Sequence, residues 1–336
     1  MIVVERAPPY LTVQDSGRPG FRSSGVPHAG AMDEWSLAIG NILVGNHLDA
    51  AALEWAVGGG TLRFDREVTI ALVGAEIDAT IDDEPVERNA RISISAGQRL
   101  SVSRIKTRRF LYVALSGGVD CPRVLGSRST YQPAAFGGVA GKRLARGDVV
   151  PIHAQGRIEA PRKFDFDSAG VGPDYDSEIV RVMPTARSRY AADGNGDRPG
   201  ERFAPARGGD NADALESFLR GSYTVSRASD RTGYRLDAVP ALDQSGASVT
   251  SEPVCAGAIQ LPAGGQPIVL MADSPTIGGY RIIATVISCD LPIVAQCLPG
   301  RSLRFRAVSV ASAQDELRRR HQFLETVSSR LAGQRQ

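Results

Sequence analysis

The sequence predicts a mainly β protein made of two tandem half-domains, each a small β-barrel, with a few packed helices. Three observations carry that expectation. First, residues 16–27 return in altered form at 229–240: Ser16/Ser229, Arg18/Arg231, Gly20/Gly233, Arg22/Arg235, Val26/Val239 and Pro27/Pro240 are identical, and Phe21/Tyr234 are both aromatic. A second stretch repeats too, with Glu54, Gly59, Ile70 and Leu72 matched at the same spacing by Glu252, Gly257, Ile268 and Leu270. Second, most segments are short, rich in Val, Ile and Thr, and bounded by Gly, Asp, Asn or Pro, as in Val68–Val73, Arg91–Ser95, Leu100–Ile105 and Phe110–Leu115. Third, Asp82-Asp83-Glu84-Pro85 after Ile77–Ile81 is a hairpin signal, which favours an antiparallel meander over strand-helix-strand units.

The length, 336 residues, fits two domains of about 150 residues each. We place an N-terminal barrel at 1–155, a C-terminal barrel at 176–310 with an insertion at 185–213, and a C-terminal helix at 311–336. The break falls within 151–180, where Pro151, Pro161 and Pro173 interrupt the strand pattern. The insertion, rich in Gly and Arg, reads as a surface loop. Three helices are expected. Residues 33–44 place Trp35, Ala38, Ile39, Ile42 and Leu43 on one face, with Asp33 to cap the start and Gly45 to end it. A shorter helix near 211–220 buries Leu215, Phe218 and Leu219, and the last one carries a Ser312/Asp315 capping pair and a solvated Arg318-Arg319-Arg320 face.

Composition excludes several classes of function. Thirty-nine basic against 37 acidic residues give a net charge of +2, without the concentrated basic face that nucleic acid requires. No window reaches the roughly 18 apolar residues of a membrane span, and Met-Ile-Val-Val-Glu-Arg lacks a leader pattern, so the expectation is a cytoplasmic protein without a membrane. Cys121, Cys255, Cys289 and Cys297 are scattered, with no metal-ligand spacing. They read as core thiols, and no metal site is expected. Gly117-Gly118 lacks the Lys and Ser/Thr of a phosphate-binding loop, so no nucleotide cofactor is evident in this chain alone.

Three clusters could carry chemistry. Asp273-Ser-Pro-Thr276-Ile-Gly278-Gly279-Tyr280-Arg281 follows the apolar run Ile268–Met271, so a strand delivers a carboxylate, a hydroxyl, two glycines and a tyrosine into one place. Exposed N–H groups there suit a carboxylate, carbamate or phosphate. The alternative is a tight turn with a left-handed glycine and Asp273 as its cap. The repeat arginines, Arg18 with Arg22 and Arg231 with Arg235, could clamp an anion, or one of each pair could bridge Asp15 or Asp230 to hold its loop. Glu54 and Glu252 read as structural partners of the repeat arginines. Ser127, Arg128 and Ser129 lie in a Gly126–Tyr131 turn with no histidine placed by sequence to complete a nucleophilic triad.

Six motifs, in order, resemble the biotin-dependent carboxyltransferase family, which takes in the C-type component of 5-oxoprolinase, the Kip inhibitor antagonist and allophanate hydrolase subunit 2. They are Val13–Gly20, Gly30-Ala-Met-Asp33, Gly126–Tyr131, Asp230–Arg235, Gly257-Ala-Ile-Gln260 and Thr276–Tyr280 with Ala284–Ile287. The resemblance covers roughly residues 2–306. It implies paired cyclophilin-like barrels, a Kip inhibitor-like B-type subunit and an A-type lactam-utilisation subunit as partners, and ATP with Mg at the level of the complex, which opens the lactam 5-oxoproline to glutamate. A carboxyl transfer to a urea-like nitrogen, with biotin on a partner, is the alternative chemistry. A regulator that sequesters the B-type partner is the non-enzymatic one. Mapped onto this chain, the resemblance implies Asp273, Thr276 and Tyr280 as catalytic residues. Gly278, Gly279, Arg231, Tyr234, Arg235, Gln260, Ser127, Arg128 and Ser129 would contact a small amide or lactam. The chain departs from the family at Ser274 and Pro275, where many members carry Arg and Gln.

Overall fold

The computed structural model describes residues 1–153, 170–185, 190–191, 204–205, 212–242 and 248–332. Of the 185–213 stretch, Thr185, a two-residue ladder pairing Tyr190–Ala191 with Ala204–Pro205, and the start of a helix fall within them; the rest lies outside the described residues. The chain divides into two compact units. One comprises Met1–Pro19, Ala29–Gly172 and His321–Gln336, the other Gly20–His28 and Pro173–Arg320.

The first unit is built on β1 (Ile2–Arg6), β2 (Tyr10–Gln14), β3 (Ala52–Ala56), β4 (Gly60–Phe64), β5 (Val68–Ile81), β6 (Glu84–Pro85), β7 (Arg91–Ile94), β8 (Arg99–Leu115) and β9 (Val149–Val150). These form one curled sheet whose spine is β8, paired with β3, β4 and the long β5. The Asp82-Asp83 turn forms as its sequence predicts, with both residues at positive φ and Ile81 facing Glu84. The concave face buries Leu11, Val13, Leu53, Trp55, Leu62 and Phe64. Helix α1 (Glu34–Leu43) lies on β5 and β8. Contact is closest at Gly40, where a Cβ would sit 3.0 Å from the Ala114 side chain. Its capping is the expected one: the Asp33 carboxylate accepts the Ser36 N–H at 2.9 Å. Burying Leu37, Ile39, Ile42 and Leu43 contributes about 2 kcal/mol each, which fixes α1 to the sheet.

The second unit contains β10 (Ile179–Pro184), the ladder strands β11 (Tyr190–Ala191) and β12 (Ala204–Pro205), α2 (Ala212–Arg220), β13 (Tyr223–Val225), β14 (Gly233–Ala238), β15 (Ser248–Pro253), β16 (Ala258–Leu261), β17 (Ile268–Leu270), β18 (Ile277–Val286), α3 (Leu291–Ala295), β19 (Ser302–Ala307) and α4 (Val310–Ala332) as far as Arg320, the rest of that helix being assigned to the first unit. Here the ladder closes: β10, β19, β13, β14, β17, β16 and β18 each pair with the next, and β18 returns to β10. The two halves are thus both β-built, one closed as a barrel and the other curled. Their repeat survives in three dimensions. Glu54 and Glu252 lie in β3 and β15, Gly59 and Gly257 take positive φ just before β4 and β16, and Ile70 and Ile268 lie in β5 and β17.

Two helix details differ from expectation. α4 begins three residues earlier than the sequence pattern indicates, because Ser309, not Ser312, supplies the cap: its Oγ accepts the Ser312 N–H at 3.1 Å. Its arginines also do not form a uniformly solvated face. Arg320 is 5% exposed, donates to the Cys289 carbonyl and pairs with Glu316.

Candidate functional site

In the second unit, the loop before β14 and the loop between β17 and β18 are bound together. Backbone bonds join Asp273 N to the Arg231 carbonyl at 2.9 Å and Met271 N to the Thr232 carbonyl at 3.0 Å. The Arg231 guanidinium then meets the Asp273 carboxylate in a two-pronged ion pair, Nε to Oδ2 and a terminal nitrogen to Oδ1, both 2.8 Å. Both side chains are under one-tenth exposed. Planar guanidinium matches planar carboxylate, so the pair fixes orientation as well as distance. Asp230 turns elsewhere, its Oδ1 accepting the N–H groups of Thr232 and Gly233. The loop is held from its other side by Arg22, which donates to the carbonyls of Val254 at 2.5 Å and Pro275 at 2.8 Å.

Two buried polar groups of this unit have no hydrogen-bond partner among the described residues: the Ser274 hydroxyl, next in sequence to Asp273, and Gln260 Nε2 on β16. Leaving such groups unpaired costs about 1–3 kcal/mol each, which makes them candidates to donate to a bound oxygen. Gly278 provides the room for Gln260: a Cβ there would fall 2.3 Å from Gln260 Nε2. This replaces the expected reason for the glycines. Gly278 and Gly279 sit inside strand β18 rather than in a left-handed turn, and Gly278 is small because an amide side chain crosses it.

The remaining residues of the second-unit cluster separate by strand alternation. Tyr234 is fully buried with its hydroxyl committed to the Ala295 carbonyl at 2.7 Å, so it supports the loop from beneath and does not face a ligand. Arg235, its neighbour on β14, is exposed on the opposite face and is not brought to the Arg231–Asp273 pair. Thr276 is half-buried, and Tyr280 is exposed on β18. Asp273 is engaged as a holding group, which suits positioning better than proton transfer.

In the first unit, motifs that read separately along the chain converge on one carboxylate. Asp15, delivered by the end of β2, accepts Ser127 Oγ at 2.6 Å, Ser129 Oγ at 2.5 Å, the Arg128 N–H at 2.5 Å and the Gly17 N–H at 2.8 Å. Arg18, fully buried, donates to the Ser129 carbonyl at 2.5 Å and lies 4.8 Å over the Phe136 ring. Gly137 admits this arrangement, since a Cβ would meet the Ser129 carbonyl oxygen at 2.0 Å. Ser127 and Ser129 are therefore buried struts and not surface hydroxyls, whereas the Arg128 side chain remains partly exposed.

A second buried chain holds α1. Tyr112 Oη donates to Glu54 Oε2 at 2.7 Å and accepts the Asp33 N–H at 2.8 Å, while the same Glu54 oxygen accepts the Met32 N–H at 2.8 Å. Burial, reinforced by the Glu54 charge, holds the Tyr112 hydroxyl well above its ordinary pKa, so it stays a donor. Tyr112→Phe is expected to destabilise the protein by about 1–3 kcal/mol, read as a lower urea midpoint at unchanged slope. Among the described residues no group of three or more His, Cys, Asp and Glu is placed to hold a metal ion, and no helix is long and apolar enough to cross a membrane.

A curled sheet in one unit and a closed barrel in the other, with repeat-related strands and a buried, hydrogen-bonded carboxylate in each, define a duplicated β protein. The chain belongs to the family of the carboxyltransferase domain, subdomain A and B, whose model matches residues 24–307. It is 34% identical over 331 residues to the C-type component of 5-oxoprolinase from Escherichia coli strain K12, covering 98% of this chain and 99% of that protein. The 5-oxoprolinase component of the same name from Haemophilus influenzae is 33% identical, with 94% of each chain covered. Among solved structures, the Kluyveromyces lactis urea carboxylase superposes with a TM-score of 0.80 at 25% identity over 97% of this chain and 29% of that one. It spans 20% of the solved Kluyveromyces lactis urea amidolyase, at the same TM-score and identity.

Proposed function

We propose that this chain is the C-type component of an ATP-dependent 5-oxoprolinase complex that opens 5-oxoproline to glutamate with B-type and A-type subunits. One observation carries the reading: the alignment with the Escherichia coli 5-oxoprolinase component runs end to end in both proteins, 98% of one and 99% of the other. Lactam opening needs donors for the oxygen on which negative charge develops. The Ser274 hydroxyl and Gln260 Nε2, buried and unpaired in the second unit, would supply that chemistry. Thr276 and Tyr280 would face the substrate from the solvent side, with Asp273 and Arg231 keeping the loop in register. ATP with Mg is assigned to the assembled complex, and a cytoplasmic location goes with it.

The superposition on a urea carboxylase favours carboxyl transfer as the second reading, with biotin carried on a partner. ATP turnover coupled to glutamate release from 5-oxoproline separates the two. This chain is mixed with its B-type and A-type partners, and each is omitted in turn. Glutamate is expected only from the full mixture. A stable complex that releases none, or that carboxylates urea with bicarbonate and a biotinylated partner, would overturn the lactam reading.

A further inference from the structure

The first unit contains a cavity of about 540 Å³ whose lining includes Asp15, His47, Asp49, Arg123, Arg128 and His153. That volume is in the range of small-molecule sites. Its cations are arranged by a local turn. Val124 and Ser127 form an isolated antiparallel bridge, with Val124 N bound to the Ser127 carbonyl at 2.8 Å and Ser127 N to the Val124 carbonyl at 3.2 Å. The residues that flank this bridge, Arg123 and Arg128, are therefore opposite one another at the cavity wall. Like charges so placed repel, unless an anion lies between them.

The nearby carboxylates are already occupied. Asp15 accepts four donors, Asp49 lies 2.6 Å from His47 Nδ1, and Asp120 is shared between Arg128 at 3.2 Å and His153 at 3.0 Å. Arg123 makes no hydrogen bond or ion pair among the described residues, and Arg128 Nε is buried without a hydrogen-bond partner. We infer that this cavity is a binding site for a small oxyanion, a carboxylate or a phosphate, held by the Arg123 and Arg128 guanidiniums. Every residue that lines it belongs to the first unit, and the inference stands independently of the lactam reading.

Calorimetric titration of the full chain with 5-oxoproline, L-glutamate and inorganic phosphate tests it. Saturable binding of at least one probe is expected: a carboxylate alone identifies an organic acid site, and phosphate alone a phosphoryl site. Arg123→Ala, at an exposed position that holds nothing else, should weaken that binding at least about tenfold without moving the unfolding midpoint, with Arg123→Lys intermediate because an ammonium lacks the fork. Absence of saturable binding by all three probes, or equal affinity in Arg123→Ala, would overturn the assignment.

Discussion

Asp273→Ala is expected to destabilise the second unit by about 3–5 kcal/mol, because it leaves the Arg231 guanidinium buried without its carboxylate. Arg231 is only 8% exposed, so solvent cannot replace the two 2.8 Å hydrogen bonds that Asp273 supplies. The intact pair need not itself stabilise the fold by that amount, since both charges were desolvated to make it. A double variant, Arg231→Met with Asp273→Leu, removes both charges at similar volume and is expected to recover most of the loss. Urea unfolding of the wild type, the two singles and the double closes the cycle. An Asp273→Ala protein as stable as wild type would mean that Arg231 swings to solvent and that the pair holds nothing. In the reconstituted complex the double variant also separates roles. Retained stability with lost glutamate release would place the pair in orienting the loop over substrate.

The duplication and the strand content were legible because they depend on local periodicity. Glu54, Gly59 and Ile70 lie on strands, or at their entries, equivalent to those of Glu252, Gly257 and Ile268. The other repeated stretch shows the limit. Gly233–Ala238 forms β14, burying Tyr234, Leu236 and Ala238 in alternation, yet the matching Phe21, Ser23 and Gly25 lack apolar residues at the last two of those positions. That copy makes a short 3-10 turn at Arg22–Ser24, and Arg22 holds the Pro275 carbonyl. Shared identity at six positions did not prescribe shared backbone.

Partner choice was the less legible part. A guanidinium next to Asp230 in sequence was as compatible with that carboxylate as with Asp273, 42 residues away, and closure of β14 on β17 decides between them. The same holds for Asp15, whose hydroxyl partners lie more than a hundred residues downstream. Motif residues that resemble ligands proved to be struts when their hydroxyls faced a buried carboxylate. Of the polar groups that the fold leaves unpaired, Gln260 lies in a motif the sequence marks, whereas nothing in composition or spacing marks Ser274.

Asp15→Ala is the variant with the largest expected effect in the first unit, about 4 kcal/mol. Four donors converge on this carboxylate, and each one left unpaired in a buried place costs about 1–3 kcal/mol before relaxation. The costs do not add fully, because Ser127 Oγ also accepts the Ser129 N–H at 2.9 Å and can turn toward other acceptors. Asp15→Asn keeps one carbonyl oxygen but turns an NH₂ group toward a donor, so roughly half the loss is expected. Denaturant unfolding reads both. The consequence reaches the cavity, since the Arg128 N–H is one of the four donors and fixes the Val124–Ser127 turn that sets Arg123 opposite Arg128. Hydrogen exchange at Ser127 and Arg128 should therefore accelerate in Asp15→Asn, and oxyanion binding should weaken even where the protein stays folded. A folded Asp15→Asn chain with unchanged exchange in this loop would show that the loop is held by its own turn and not by the carboxylate.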